Sequence, residues 1–385
     1  MQQNVVTFQI PTQVVFGVGA LQRVVDFVAA GGEAKALIAT DQGVKNAGLL
    51  EKLTAVLKEH RVPFAVFDRT EANPSVETVE AATALLHDKE CTVVVGLGGG
   101  SPMDVAKSVG VMATNPGSIR DYEGVGKIQN RPLRVAAIPT TAGTGSEVTP
   151  FIVITDVARR YKMTIVSPFA VPAMAIVDPM LMTTMPAKIA AATGMDALTH
   201  GVESYVSLGA QPFTEALVLH GIRLISDNLR KGVAHRANLE AMSNLAIAST
   251  MVAAAFSHTR LGNGHAMAHP LGGFYDIPHG VANAVLLPHI MEFNSLACPE
   301  KMSRVAQTMG VDVFGLSPME GAAAAVDAVR QLNQDVGIVD GLRALGVKEE
   351  EIPAMAADAM KSGNVLANPR YTTIDDIIML YRAAL

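Results

Sequence analysis

Apolar positions along the chain fall into two textures. Up to about residue 185, short β-branched and apolar runs recur at Val14–Phe16, Ala36–Thr40, Phe64–Phe67, Thr92–Val95, Val135–Ile138, Ile152–Ile154, Met163–Val166 and Ala175–Val177. Between the early runs lie amphipathic stretches, Ala20–Ala30, Leu49–His60, Val76–Asp88 and Met103–Thr114. Strand and helix alternating at this rhythm predict a parallel sheet with helices on both faces. The runs are almost wholly apolar, as strands covered on both sides should be. After Asp178-Pro179 the texture changes, and from Pro186 onward no convincing strand remains. Helical patterns follow at Pro212–Arg230, Leu239–Phe256, Val281–Phe293, Glu320–Val336, Glu349–Lys361 and Ile374–Ala384, separated by Gly, Pro and Asn. The reading is an α/β domain over residues 1–185 and an all-helical domain over 186–385.

Composition narrows the function classes. A chain of 385 residues, 49% hydrophobic, can bury two substantial cores. The net charge of -6 comes with no basic stripe, which argues against a nucleic-acid partner. No uninterrupted apolar run approaches the roughly 18 residues of a membrane span, and the first residues lack a signal-peptide pattern. Cys91 and Cys298 stand far apart, outside any Cys-x-x-Cys spacing. That suits a reducing cytoplasm and excludes a thiolate-ligated structural zinc site.

The chemistry concentrates in a few segments. Asp196 and His200 are four residues apart in a segment of helical character, and His265 and His269 repeat the spacing. Residues four apart share a helix face. His279 follows between Pro278 and Gly280. One carboxylate and several imidazoles, without thiolate, suit Fe2+ or Zn2+, and an open coordination position would make such a site catalytic. A lone histidine on an apolar helix is more often a core residue, but here that reading has to account for five groups at once.

Three further segments point to a nucleotide. Strand Thr92–Val95 runs into Gly98-Gly99-Gly100-Ser101-Pro102, a turn whose backbone can approach a phosphate at a helix start. The second, Pro139–Thr149, is rich in small hydroxyl residues. The third is Asp41, at the carboxyl end of Ala36–Thr40, where a carboxylate can accept from ribose hydroxyls and repel a 2′-phosphate. Each has a bland alternative: a tight turn, a polar loop and a helix cap.

Together these segments resemble the iron-dependent (group III) alcohol dehydrogenase family over nearly the whole chain. The resemblance is carried by Gly98-Gly99-Gly100-Ser101-Pro102 with Asp104, by Thr140-Thr141-Ala142-Gly143-Thr144-Gly145-Ser146-Glu147, by Ala191–His200, and by His265–Gly273 with Pro278-His279-Gly280. It implies a Rossmann-like dinucleotide-binding domain followed by an all-helical metal domain of the dehydroquinate-synthase-like kind. It implies that Asp196, His200, His265 and His279 bind Fe2+, while His269 stays unligated near the nicotinamide and substrate. For NAD it implies Asp41 at the adenosine ribose, Asn73 near the adenine end, and Gly98, Gly99, Gly100 and Ser101 at the diphosphate. Asp104, Thr140, Thr141, Thr144 and Lys162 complete the implied cofactor groove. The activity implied is reversible oxidation of a small alcohol to its aldehyde by a cytoplasmic homodimer or larger homo-oligomer whose N-terminal strand helps form the contact. One departure stands out. Propanediol and methanol dehydrogenases of the family typically carry Gln after the second histidine of His-x-x-x-His, where this chain has Pro270. The alternative reading is a zinc-dependent polyol dehydrogenase of the same superfold.

Overall fold

A computed structural model describes residues 5–30, 32, 34–159 and 161–385. The chain forms two units that meet in sequence between Met185 and Pro186, at the predicted boundary. The one departure is at the start, since the described residues 5–9 group with the helical unit. Phe8 stacks on Phe213 at 5.6 Å between ring centroids, and Gln9 offers its carbonyl to His258 Nε2 at 3.0 Å.

Among its described residues the first unit carries nine strands: β1 (Gln13–Phe16), β2 (Ala36–Ala39), β3 (Phe64–Phe67), β4 (Val93–Gly98), β5 (Gly124–Val125), β6 (Val135–Pro139), β7 (Phe151–Asp156), β8 (Tyr161–Val166) and β9 (Met174–Val177). Six of them make a wholly parallel sheet in the order β1-β9-β6-β4-β2-β3. Strands β2, β4, β6 and β9 are buried along their whole length, which accounts for their continuous apolar runs. The helices are α1 (Val24–Ala29), α2 (Gln42–Asn46), α3 (Leu49–Glu59), α4 (Val76–Asp88) and α5 (Gly100–Met112). Residues of α1 and α3 pack in one core with Ile38, Val95 and Ile138, while α4 and α5 pack in another with Leu37, Val94 and Val135.

Several local expectations change. The predicted Ala20–Ala30 helix is a 3-10 turn over Ala20–Arg23 followed by α1. Strand β4 runs on to Gly98, and α5 begins at Gly100 rather than Met103. Strands β7 and β8 do not join the parallel sheet. They pair antiparallel with each other and, with β5, form a second three-stranded sheet. The turn between them is too short for the crossover that a parallel pair requires.

The second unit holds α6 (Ala187–Val206), α7 (Pro212–Ala234), α8 (Leu239–Thr259), α9 (Asn263–Tyr275), α10 (His279–Ser295), α11 (Pro299–Thr308), α12 (Pro318–Asp335), α13 (Ile352–Ala359) and α14 (Ile374–Ala383), and no strand among its described residues. Helix α8 is long and apolar enough to cross a membrane by length and composition. However, 67% of that stretch is buried inside the protein, as in a core helix. Helices α9, α10, α13 and α14 close around one apolar core that includes Met267, Leu286, Met355 and Tyr381.

Candidate functional site

In the first unit, three neighbouring strands end together. β2, β4 and β6 are adjacent and parallel, and their carboxyl ends deliver Asp41, Gly98–Ser101 and Thr140–Thr144. The chain reverses its direction of strand addition between β2 and β4, and ligands of open parallel sheets bind outside such a switch point. Gly98 holds φ +151°, and a Cβ there would stand 2.6 Å from Pro102 Cγ, so no side chain fits. A Cβ on Gly100 would come within 3.2 Å of Thr144 Cγ2, and one on Gly99 within 3.6 Å of Thr141 Oγ1. The Thr140 N–H donates to the Gly98 carbonyl at 2.9 Å. The glycine turn and the threonine loop therefore face each other at the start of α5. The residues present suit a dinucleotide diphosphate: bare backbone at a helix N-terminus with hydroxyls beside it.

Asp41 is a helix cap with its second oxygen turned to the glycine turn. Its Oδ1 accepts from the Val44 N–H at 2.8 Å and caps α2, while its Oδ2 lies 3.4 Å from where a Gly98 Cβ would be. Ser101 Oγ donates to the Ala72 carbonyl at 2.6 Å, which brings the neighbouring, exposed Asn73 to the turn. Lys162 lies on β8, paired with Thr155 of β7, in the second sheet.

Asp104, expected among the cofactor contacts, has both of its oxygens hydrogen-bonded within the protein. Oδ1 accepts from Ser146 Oγ at 2.6 Å and Oδ2 from the Val153 N–H at 2.9 Å. Lys107, fully buried, lies 3.4 Å from the same carboxylate and donates to Ser146 Oγ at 2.6 Å and to the Phe151 carbonyl at 2.9 Å. Burial lowers the Lys107 pKa and Asp104 opposes that shift. The pair braces the threonine loop against α5.

In the second unit, α6, α9 and the first residue of α10 converge. Ligand atoms of Asp196, His265 and His279 all lie within 4.8 Å of one another. The Asp196 Oδ1 is 3.8 Å from Nε2 of His265 and 3.8 Å from Nε2 of His279. Gly280 makes this approach possible, because a Cβ there would collide with the Ala192 carbonyl on α6. The fourth expected ligand, His200, lies outside that tight group. Its ring stacks between Phe256 at 4.5 Å and His265 at 4.4 Å. The His269 ring lies 5.5 Å from that of His279, beside the cluster and outside it.

The electrostatics suit a cation. Asp196 is buried, which disfavours its charge, yet His200, His279, His265 and the Asn283 amide outweigh that and hold its carboxyl below the usual range. Burial, reinforced by the neighbouring imidazoles, drives the His265 pKa well below its ordinary value, so this ring is neutral. Its Nδ1 lies 2.5 Å from Glu203 Oε2. Its Nε2 meets the Asn283 amide N–H at 3.1 Å, so the proton must sit on Nδ1 and donate to Glu203. That leaves the Nε2 lone pair facing Asp196, the tautomer a metal needs. Burial pushes Glu203 up to about 7, against backbone N–H groups at Gly262 and Gly264 that favour its charge. One carboxylate with neutral imidazole nitrogens, each oriented, fits Fe2+ or Zn2+.

Sequence reasoning missed Glu203 and Asn283. Glu203 follows Asp196 and His200 at the next helical repeat on α6, and Asn283 lies four residues past His279 on α10. Helical periodicity carried a signal for both.

Comparison with known proteins agrees with both halves. Residues 11–179 match the family described as iron-containing alcohol dehydrogenase, and residues 190–385 match the Fe-containing alcohol dehydrogenase family, C-terminal. A 1,3-propanediol dehydrogenase of Klebsiella pneumoniae is 42% identical over 386 residues, covering 100% of both chains. An NAD-dependent methanol dehydrogenase of Bacillus methanolicus is 39% identical, covering 98% of this chain and 99% of its own. The crystal structure of a 1,3-propanediol oxidoreductase superposes with a TM-score of 0.97 at 42% identity, over 99% of this chain and 100% of the other. The chain belongs to the iron-containing alcohol dehydrogenase family.

Proposed function

We infer that the protein catalyses the reversible, NAD(H)-linked interconversion of a small primary alcohol and its aldehyde, with Fe2+ as its metal. The observation that carries the reading is the convergence of Asp196, His265 and His279, with His265 fixed by Glu203 as a neutral donor. Kinship with iron-containing enzymes favours this over the zinc polyol alternative. When bound, the divalent ion supplies an electrophile for the substrate oxygen and the nicotinamide supplies the hydride acceptor or donor.

The remaining work falls to the chain. Asp196, His265 and His279, with His200 stacked behind them, hold the ion, and the buried surroundings of Asp196 and His265 keep water from these ligands. His269, half-buried beside His279, passes the hydroxyl proton to solvent, a task suited to an imidazole near neutral pH. N–H groups of Gly99, Gly100 and Ser101 receive the diphosphate, with Thr140, Thr141 and Thr144 alongside. Asp41 takes the adenosine ribose, Asn73 lies towards the adenine, and Lys162 serves the cofactor from β8. Self-association through the edge strand β1 fits its apolar exposure, with Val14 37%, Phe16 43% and neighbouring Val18 61% exposed.

The test combines metal analysis of anaerobically purified protein with an NAD-linked panel of alcohols and aldehydes. Bound iron with turnover of short primary alcohols is the expected result; bound zinc with preference for glycerol would favour the polyol reading. In the same assay His269→Ala should keep its metal while turnover slows by about a hundredfold. Loss of the metal would instead make His269 a ligand.

A further inference from the structure

Asn283 has no task in the reaction proposed above, yet it stands at the centre of the metal-binding group. It is fully buried on α10. Its Nδ2 lies 2.7 Å from Asp196 Oδ1 and 3.1 Å from Nε2 of both His265 and His279. Its Oδ1 is buried and makes no hydrogen bond. The amide is thus tied at its nitrogen only, to atoms assigned above as metal ligands.

An imidazole nitrogen has a single lone pair. If His265 and His279 give theirs to a cation, neither can still accept from Asn283. The two demands are exclusive at the same atoms. We propose that Asn283 is a built-in competitor for the metal. Its two N–H groups, shared among Asp196, His265 and His279, hold the three together before a divalent ion binds, and the hydrogen bonds to the two imidazoles are surrendered when it does. The proposal rests on those three residues being the ligands.

The consequence is a sign that a merely structural asparagine would not give. Asn283 stabilises the metal-free protein more than the loaded one, so removing it should tighten metal binding. The experiment uses full-length Asn283→Leu, close to the native volume, with Asn283→Ala in parallel. Zn2+ is the probe, its dissociation constant measured by competition with a chromophoric chelator. The melting temperature is measured for chelator-treated and Zn2+-loaded protein. We expect Zn2+ to bind about tenfold tighter in the variants, the worth of the hydrogen bonds to the two imidazoles lost from one state only. Chelator-treated variants should melt lower than wild type while loaded ones stay close to it.

Unchanged or weaker Zn2+ binding, or an equal loss of melting temperature in both states, would overturn the proposal and leave the ligands in place. A wild type that binds no Zn2+ would overturn the ligand assignment as well. The wild type alone gives a second check through the side-chain NH2 signals of 15N-asparagine-labelled protein. The Asn283 pair should be protected from exchange after chelation and lose that protection on adding Zn2+, and a pair indifferent to Zn2+ would count against the proposal.

Discussion

The glycine-threonine end of the parallel sheet and the imidazole-carboxylate centre of the helical unit are built by opposite means. The first uses backbone. Its parts are short contiguous segments at the ends of β2, β4 and β6, and its key requirement is the absence of a side chain at Gly98. The second uses buried ionisable side chains from α6, α9 and α10. Asp196, Glu203 and His265 are each only 2% exposed, and a buried charge is costly unless it is partnered. The metal centre therefore needs a partner behind its ligands, Glu203 behind His265, whereas the sheet end needs space and N–H groups. The first kind of site tolerates change around it; the second depends on each ligand and on the group that orients it.

The sharpest way to break this contrast is to remove a ligand. Asp196→Ala or His265→Ala should lose bound metal and cut turnover by at least about a thousandfold, since an ion supplies several kcal/mol of charge stabilisation. NAD affinity, measured by calorimetry, should stay near wild type because the sheet end has its own core. A variant that keeps iron and activity would refute the ligand assignment, and one that also loses NAD would refute the independence of the two regions.

One shell further out, Glu203→Gln should weaken metal binding by roughly ten- to a hundredfold, as losing the partner of a ligating histidine does elsewhere. Equilibrium dialysis against Zn2+ would show it. Affinity equal to wild type would mean that His265 needs no help in choosing its tautomer.

At the sheet end, Asp41→Gly should move the NAD-to-NADP ratio of kcat/KM towards NADP by about tenfold, by removing a carboxylate that repels a 2′-phosphate. Its lost cap on α2 should cost only a few tenths of a kcal/mol. An unchanged ratio would leave Asp41 as a cap and nothing more.

The smallest effect concerns pH. Asp156 sits between Arg120 Nε at 2.9 Å and Arg159 Nε at 2.7 Å, and these hydrogen bonds hold its carboxyl far below the usual range. A depressed carboxyl adds stability above its ordinary pKa and loses it as pH falls below that value. Wild type should therefore melt a few degrees above Asp156→Asn at neutral pH, with the gap closing below about pH 4. A gap that persists in acid would show that the contribution is packing rather than charge.

Local pattern was enough for a good part of the fold. Continuous apolar runs gave β2, β4, β6 and β9 because a strand buried on both faces has no polar positions to interrupt it. The change of period near Pro186 marked the boundary between the units. Helices α6 and α9 were harder to read, since both are so deeply buried that their small and apolar residues leave no polar face to set a period.

At the sites, the sequence by itself determined residue types and short spacings: Asp196 with His200, His265 with His269, and three glycines after a strand. Tertiary structure alone decided which of these meet. It drew Asp196, His265 and His279 into one group, stacked His200 behind it, and placed His269 to the side. It turned Asp104 inward, where Ser146 and the Val153 N–H, distant in sequence, consume its oxygens. It gave Glu203 and Asn283 their places through contacts between helices. Spacing along one helix fixes which side chains share a face, but hydrogen bonds between helices depend on how those helices pack, and packing is a property of the whole core.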